Sequence, residues 1–529
     1  MRLKFALLGA AAALAMTVGA ADAQTKTFRY AAQGDFLGLD PHINNEGPTN
    51  AMKGNLYEAL VYRDPDLKLQ PALATEWTTT DPTTWRIKLR QGVKFHGGQP
   101  FTADDVLFSF DRIRQKDSEM SFAVITIKEI KKIDDHTIDI ITSGPDPILL
   151  QNLPLFYIMD KEWTEANNAA NVVRGAGVQT YANQNANGTG PFKLVERMAD
   201  TRTVVEPNPG WWGKAPSNFT RAVFTPIKNP ATRVAALLSG EVDVIYPVPL
   251  QDVDRIKNNP GTRMLQGPEL RTIFFGFDQW RDEALDMPGT KKNPFKDVRV
   301  RKAFYQAIDI NGINRVVMRG ASVPSGSMIA PGINGFVEEI HKGRFPYDPD
   351  ASKKLLAEAG YPSGFPVTLD CPNDRYVNDE AVCLAVVPML KRIGIDIKLN
   401  AQNRSLHFDK IGQKQGNNTS FYMLGWTPGS IDALNLIDNI IAMKGDGRGT
   451  WNSGRYTNPK LEELGDKIKV EMDQAKRNEM IKEALMIHHT DVGHIPLYQQ
   501  TLAWAARDTV ADIRQRPTDD VDLRFVVMK

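Results

Sequence analysis

Three histidines close to the C-terminus, His488, His489 and His494, are the side chains whose type best suits metal binding. Two histidines bind one ion from a helix when they share a face, as an i, i+4 pair does, and His489 and His494 lack that spacing. Asp491 and Gly493 also interrupt the helix there. The pattern favours a polar helix end that leads into the strand IPLYQQ, and we predict no metal site.

Sequence motifs of catalysis are also missing. The chain has no HExxH helix, no G-x-S-x-G turn and no G-x-x-x-x-G-K-[ST] phosphate loop. The string GDGRG at 445–449 has no predicted strand before it and no predicted helix after it, so we expect a loop. The acidic pairs Asp104–Asp105 and Asp134–Asp135 occur at a predicted helix start and a predicted turn, where capping accounts for them. We therefore predict no catalytic residue, no cofactor and no enzyme activity.

The chain has only two cysteines, Cys371 and Cys383. In an exported protein an oxidising environment favours a disulfide between them. Two buried thiols or a metal-binding pair are the alternatives, although their spacing fits no zinc pattern.

The first residues predict export. Arg2 and Lys4 precede the apolar run from Phe5 to Val18, and an A-D-A cleavage site follows at 21–23. The run is shorter than the roughly 20 apolar residues that cross a bilayer. We therefore predict a cleaved signal peptide over residues 1–23 and a periplasmic mature protein.

Length and charge limit the class of protein. The 529 residues exceed what one hydrophobic core supports, so two to four domains of about 100 to 200 residues each are expected. The 42% hydrophobic content is typical of a globular chain. Because 64 basic residues balance 63 acidic residues, nucleic acid is not an expected partner.

Helix and strand signals alternate along the chain and predict an α/β fold. Thr102 and Asp105 form a capping-box pattern ahead of a helix, and Trp85–Leu89 alternates as a half-buried strand does. Asp348 is placed as the N-cap of a helix that Gly360 ends.

Longer strings then resemble one known family. Residues 56–113, GTGPFKLVER at 188–197, PFKDVRVRKAFYQAID at 294–309 and GWTPGSIDALN at 425–435 resemble the family 5 extracellular solute-binding proteins, in the family's order. These proteins are the periplasmic subunits of peptide, nickel and opine ABC importers. The resemblance covers essentially the whole mature chain.

The resemblance implies a two-lobed α/β periplasmic-binding-protein fold of type II, of the large class with an extra N-terminal subdomain. It implies mixed sheets, a ligand cleft between the lobes, and hinge strands near RTIFFGF and PLYQQT. The expected divisions are residues 24–59, 187–273 and 500–529 for the core of lobe I, 60–186 for the extra subdomain and 274–499 for lobe II.

The function implied is capture of a small organic ligand, peptide-like, opine-like or related, by closure of the cleft. The ligand would pass to an ABC permease in the inner membrane, and the protein would act as a monomer. The alternatives are a periplasmic hydrolase or amidase, and a peptide-holding chaperone or chemoreceptor feeder on the same fold.

Several candidate ligand contacts follow. In relatives the loop that holds Asn45 and Gly47 lies at the cleft. Phe277 and Asp278 lie on a predicted hinge strand, where an apolar interlobe role is the alternative. Arg375 and Tyr376 follow a strand at a βα turn, where open α/β sheets bind ligands. Arg375 and Arg404 could each bind an anionic group, with a solvated surface position as the alternative.

Trp426 matches the family's tryptophan at the end of a strand in lobe II. The familiar peptide binders have an aspartate three residues later that holds the peptide ammonium, whereas this chain has Gly429. Asp432 matches an acidic position in those relatives and is a further candidate contact. The departure at Gly429 argues against a peptide with a free amino terminus, because a charge-assisted contact is lost.

Overall fold

The computed structural model describes residues 26–174, 180–285, 287, 289–290, 292–412, 416–445 and 448–529. The predicted signal peptide over 1–23 and residues 446–447 of the GDGRG string lie outside the described residues.

Strands and helices alternate through the described chain. The strands are β1 (Thr27–Ala32), β2 (Val61–Arg63), β3 (Leu69–Pro71), β4 (Ala74–Asp81), β5 (Thr84–Leu89), β6 (Ile127–Asp134), β7 (Thr137–Thr142), β8 (Phe192–Met198), β9 (Arg202–Pro207), β10 (Arg221–Pro226), β11 (Val244–Tyr246), β12 (Thr262–Phe277), β13 (Ser322–Pro324), β14 (Pro366–Pro372), β15 (Asp396–Gln402), β16 (Phe421–Trp426), β17 (His494–Arg507), β18 (Val510–Ile513) and β19 (Val526–Met528). The α-helices are α1 (Gly47–Leu56), α2 (Ala103–Ile113), α3 (Leu149–Asn152), α4 (Lys161–Ala166), α5 (Tyr181–Gln184), α6 (Pro230–Ser239), α7 (Val253–Lys257), α8 (Val298–Ala307), α9 (Ile310–Val316), α10 (Glu338–Lys342), α11 (Pro349–Glu358), α12 (Asp379–Lys391), α13 (Arg404–Ile411), α14 (Ala433–Leu436), α15 (Pro459–Val470) and α16 (Gln474–Thr490).

One long mixed sheet organises the molecule. Its strand order is β15-β14-β16-β12-β17-β11-β1-β10-β9-β8, and β13 pairs with β17 beside this path. β1 is parallel to β10 and β11, and β14 is parallel to β15 and β16. We call β1 and β8–β11 the first half of the sheet and β14–β16 the second half.

Two antiparallel strands, β12 and β17, join these halves. Their pairing shifts register between Pro268 and Thr272. On one side of the shift β17 pairs with β11 of the first half, and on the other side β12 pairs with β16 of the second half. These are the two strands that the resemblance implies for a hinge.

A second sheet, in the order β4-β5-β7-β6, has its own apolar core. The side chains of Ile87, Ile138 and Ile140 are buried in that core together with Val106 and Phe110 of α2. At the start of α2, Thr102 and Asp105 form the predicted capping box.

Local boundary signals also act as predicted elsewhere. Gly240 ends α6 in the left-handed region, at φ +86°, where a residue with a Cβ would be strained. The Asp348 side chain accepts a hydrogen bond from the N–H of Ala351 at the start of α11, and Gly360 follows the helix at φ +94°. Each signal needs only neighbouring residues, which is why sequence reading succeeds there.

Cys371 of β14 and Cys383 of α12 form a disulfide. Among the described helices, none combines the length and apolar character needed to cross a bilayer.

Candidate ligand-binding cleft between the two halves of the sheet

Loops at the ends of parallel strands form the candidate site. The parallel strands β14, β15 and β16 all end at one edge of the sheet, where the chain continues into 373–378, 403–404 and 427–432. In the first half, the loop 33–46 follows the end of β1. Open α/β sheets bind ligands beyond the carboxyl ends of their strands, so these loops are the expected position of a site.

The loops of the second half contact the first half and also the segments around β2 and Leu155, which belong to neither half of the sheet. Nε2 of Gln33 donates a hydrogen bond to the carbonyl of Asp374 at 3.0 Å. Nη2 of Arg63, at the end of β2, donates to the carbonyl of Ser430 at 2.8 Å. A Cβ added at Gly429 would lie 3.6 Å from Cδ1 of Leu155. The cleft between the halves is therefore closed in this structure.

Arg375 lies between the halves with its charge unpaired. No described residue forms a hydrogen bond or an ion pair with its guanidinium, which lies 5.1 Å from the Tyr376 ring centre. Burial lowers the pKa of Arg375, the positive charge of Arg271 lowers it further, and the charge of Glu46 in the first half opposes both. A part-buried guanidinium without a partner is suited to bind a carboxylate or a phosphate.

Tyr376 holds the Arg375 loop against the end of β16. Its hydroxyl accepts a hydrogen bond from the N–H of Gly425 at 2.8 Å. The N–H groups of Arg375 and Tyr376 both donate to Oδ2 of Asp379 at 2.9 Å. The predicted βα turn is therefore a braced loop, and Tyr376, which is buried, is suited to position its neighbour.

Two acidic side chains, Glu269 of β12 and Asp519, lie near this loop. Glu269 accepts hydrogen bonds from Nε of Arg271 at 2.7 Å and from Nε2 of Gln500 at 2.6 Å. Burial raises the pKa of Asp519 to about 7, and the charge of Glu269 contributes to the rise. Asp519 also accepts a hydrogen bond from Nε1 of Trp504 at 2.9 Å. Glu269 is therefore paired with Arg271, whereas Asp519 has no ion pair among the described residues.

Trp426 ends β16 half-buried, and its Nε1 donates to Oδ1 of Asn435 at 3.1 Å. The next loop contains two hydroxyl oxygens, Oγ1 of Thr427 and Oγ of Ser430, that are buried and have no hydrogen-bond partner among the described residues. Buried hydroxyls normally find partners, so these two mark a place that a ligand or water can complete.

Asp432 requires a correction. It is 2% exposed, and its two oxygens accept hydrogen bonds from Nη1 and Nη2 of Arg477 at 2.8 and 2.7 Å. Asn334 and the N–H of Leu434 donate to the same carboxylate. Because its charge is fully paired inside the second half, Asp432 acts in the core and is not available to a ligand.

Phe277 and Asp278 are corrected in the same way. Phe277 is fully buried, with its ring centre 4.8 Å from that of Phe295 and 5.3 Å from that of Phe421. Asp278 is also fully buried and pairs with Arg281 at 2.9 Å. They lie at the end of β12 far from the hinge, where alternation on a strand could not reveal that both faces are covered.

Asn45 lies on the loop after β1, Gly47 and Arg404 each begin a helix, and all three remain predicted ligand contacts. Asn45 is exposed, and its N–H donates to Oε2 of Glu119 at 2.9 Å. Gly47 begins α1, and a Cβ there would meet no atom within 4 Å. Arg404 begins α13, and its N–H donates to Oδ1 of Asp374 at 2.6 Å.

The histidines do not converge as a set. Nε2 of His488 lies 2.9 Å from Nδ1 of His494 in a buried pair, whereas the His489 ring stacks on Phe345. Within the described residues, one group of three possible metal ligands lies close together: Asp105, Asp160 and Glu162. The carboxylates of Asp105 and Asp160 already cap α2 and α4.

Sequence reasoning missed the residues that close the cleft, Gln33, Arg63, Asp374 and Ser430. Gln33 and Asp374 are 341 positions apart, and Arg63 and Ser430 are 367 positions apart. No pattern within either segment signals such a contact.

Comparisons with known proteins agree with this geometry. The family model for bacterial extracellular solute-binding proteins, family 5 Middle, matches residues 68–447. The dipeptide-binding protein of Escherichia coli K12 is 28% identical, over 94% of this chain and 93% of that protein. Heme-binding protein A of Haemophilus influenzae is also 28% identical, over 90% of this chain and 88% of that protein. These two relatives, equally similar to this chain, are named for different ligands, a dipeptide and heme.

A solved structure shares the fold. The dipeptide-binding protein of Pseudoalteromonas sp. SM9913, in complex with Met-Leu, superposes with a TM-score of 0.81 at 23% identity, over 95% of this chain and 100% of that chain. The predicted fold class and the predicted family are thereby confirmed. The chain belongs to the bacterial extracellular solute-binding proteins of family 5 and has their two-lobed, type II α/β fold.

Proposed function

We propose that this chain is the substrate-binding subunit of an ABC importer. It captures a small organic ligand, peptide-like, opine-like or related, in the periplasm and delivers it to an inner-membrane permease. It performs no chemistry on that ligand. The observation that carries the proposal is the pair of hydrogen bonds across the cleft. Gln33, which follows β1 of the first half, donates to Asp374, and Arg63, which belongs to the separate β2–β3 pair, donates to Ser430.

We propose that the lobes divide as the sequence predicts. Lobe I comprises 24–59, 187–273 and 500–529, the extra subdomain is 60–186, and lobe II is 274–499. The register shift between Pro268 and Thr272 supports the division, because it lies next to the proposed boundary on β12. Hinge motions are absorbed by a few residues at the ends of elements, and an irregular strand pair is suited to that.

Ligand capture then follows from differential binding. A ligand that touches both lobes only when the cleft is shut binds the closed state more tightly and so shifts the population towards it. The contacts between Gln33 and Asp374 and between Arg63 and Ser430 add to the closed state alone. A permease that recognises the closed form thereby distinguishes loaded from empty protein.

We propose that Arg375 binds an acidic group of the ligand. Its guanidinium is part-buried and has no partner among the described residues, and its loop is braced by Tyr376 and Asp379. These hydrogen bonds hold the loop in place before the ligand binds, which reduces the conformational entropy lost on binding.

The test combines ligand identification with a measurement of shape. The mature protein is isolated fresh, its co-purified small molecules are identified by mass spectrometry, and calorimetry and small-angle X-ray scattering follow their rebinding. We expect one ligand per chain, recovered unchanged, and a decrease in the radius of gyration on binding. Chemical turnover of the ligand, or binding without compaction, would contradict the proposal. A ligand at 100 times its Kd should also stabilise the protein by roughly 2.7 kcal/mol.

A further inference from the structure

The side chain of Arg63 brings a buried positive charge to the loop 427–430. Arg63 is 8% exposed, and its guanidinium donates to the carbonyls of Leu67, Gln151 and Ser430 at 3.3, 2.8 and 2.8 Å. It has no ion pair with any described carboxylate. Burial lowers the pKa of Arg63 to about 10, so the group stays charged at neutral pH.

Neighbouring charges do not cancel that of Arg63. Asp432, whose negative charge acts on Arg63, is bound at both oxygens by Arg477. Arg516, whose positive charge also acts on Arg63, is itself paired with Asp520 at 2.6 Å. Each of these charges has an opposite partner, whereas Arg63 has no ion pair with a described carboxylate.

The same loop presents groups that can bind an uncharged polar partner. Oγ1 of Thr427 and Oγ of Ser430 are buried without a partner among the described residues, and Ser430 is 1% exposed. A hydroxyl both donates and accepts hydrogen bonds, so it suits a ligand hydroxyl or amide. An ammonium would instead be desolvated next to Arg63, where two like charges repel strongly because the surroundings are less polar than water.

We propose that the ligand has an acidic group at Arg375 and an uncharged hydrogen-bonding group, a hydroxyl or an amide, at the loop 427–430, and that Arg63 excludes ligands with a free ammonium at that end. The inference rests on the proposed function. It narrows the ligand class to acids whose amino group is absent or acylated.

The test offers matched pairs of ligands. The mature protein is equilibrated with an equimolar dipeptide library in which each sequence is present with a free and with an N-acetylated amino terminus. A small-molecule extract of its native bacterium is offered in parallel. Bound compounds are recovered by ultrafiltration and identified by mass spectrometry. We expect acids without an ammonium to be retained, with acetylated forms preferred roughly tenfold over free forms, as a moderate charge repulsion would give.

Two variants of Arg63 separate its charge from its hydrogen bonds. Arg63→Gln removes the charge and should reduce the preference for acetylated forms to about twofold or less. Arg63→Lys keeps the positive charge but loses the planar arrangement of hydrogen-bond donors. It should therefore lower the affinity for all ligands alike and retain the preference for acetylated forms. Circular dichroism and thermal unfolding verify that both variants fold, and the ratio within each pair stays interpretable if the variants lose stability.

Each contrary outcome is distinct. Retention of free-amine forms equal to or above that of acetylated forms overturns the inference and leaves the proposed function intact. An unchanged ratio in Arg63→Gln overturns the role of Arg63. Retention of no compound from either source, together with an unchanged scattering curve, overturns the proposed function and the inference with it.

Discussion

Two buried arginines, Arg477 in the core of lobe II and Arg63 at the face between the lobes, have opposite surroundings. Arg477 is fully buried and both of its terminal nitrogens bind the Asp432 carboxylate. Arg63 is almost as buried, yet its partners are three backbone carbonyls. Inside a lobe, a buried charge is matched so that the core stays stable. Arg63, at the cleft, has no counterion among the described residues, and the proposed role of its charge is to select the ligand.

The largest effect should come from breaking the matched pair. Asp432→Ala leaves Arg477 buried without its counterion, so we expect the free energy of unfolding to fall by about 3–5 kcal/mol. Urea denaturation measures this change. Asp374→Ala removes an exposed aspartate at the interlobe face. Among the described residues, its side chain loses only the hydrogen bond that it accepts from the N–H of Arg404, so it serves as the control, with an expected change of roughly 1 kcal/mol. Equal losses in the two variants would remove the distinction between core and interlobe charges.

The disulfide should rank second. Replacing Cys371 and Cys383 together by serine releases the loop that contains Arg375, and the chain-entropy estimate for this short loop is about 3 kcal/mol of stability. Urea denaturation under oxidising conditions compares the variant with the parent protein. A variant that loses ligand affinity but keeps its full stability would show that the bond acts on the site alone.

Arg375→Ala tests a cleft arginine that, like Arg63, has no ion pair among the described residues. We expect a tenfold to hundredfold loss of affinity for an acidic ligand, because a charge-assisted hydrogen bond contributes about 1.5–3 kcal/mol. Unfolding free energy should change by roughly 0.5 kcal/mol or less, since the guanidinium has no hydrogen bond or ion pair with a described residue to lose. Calorimetry measures the affinity, and a large loss of stability would place Arg375 with Arg477 as a structural residue.

The buried pair His488 and His494 extends the comparison to groups that are neutral in the folded protein. Burial lowers the pKa of His494 to about 3 and lowers the pKa of His488 well below its usual value. The unfolded chain binds protons below about pH 6.5 and the folded chain does not, so stability is complete above that pH and falls as the pH falls. From pH 6.5 to pH 5, His494 should remove about 1.6 kcal/mol, and His488 should act in the same direction.

Unfolding free energies at several pH values check this expectation. In His494→Gln, the free energy of unfolding should change less steeply with pH between pH 5 and 6.5, because one group fewer takes up a proton on unfolding. An identical slope in the variant would contradict the assignment of His494 as a neutral group in the folded state.

The smallest effect should come from the exposed interlobe bond. Gln33→Ala removes one neutral hydrogen bond of the closed form, a contribution of about 1 kcal/mol, so affinity should fall roughly fivefold. The dissociation rate should rise, whereas the unfolding free energy of the empty protein should not change. Stopped-flow release of bound ligand measures the rate, and an unchanged rate would show that this contact does not hold the cleft shut.

Whether a candidate site residue could be predicted depends on how far along the sequence its contacting residues lie. Arg375 and Tyr376 were predicted from a strand-to-helix turn, and the structure puts them on such a turn at the cleft. Asp432 also lies in a loop that follows a strand, but Arg477, 45 positions later, neutralises it. Phe277 alternates along a strand as a half-exposed residue would, and the rings of Phe295 and Phe421 cover it.

The amino-acid sequence by itself determined the order and ends of many elements, because capping, glycine stops and alternation act among neighbouring residues. It also determined the family, through strings that occur in one order along the chain. Only the tertiary structure decided which charged side chains are matched and which are left free. That outcome depends on contacts such as Arg63 with Ser430, 367 positions apart, and the packing of whole lobes sets such contacts.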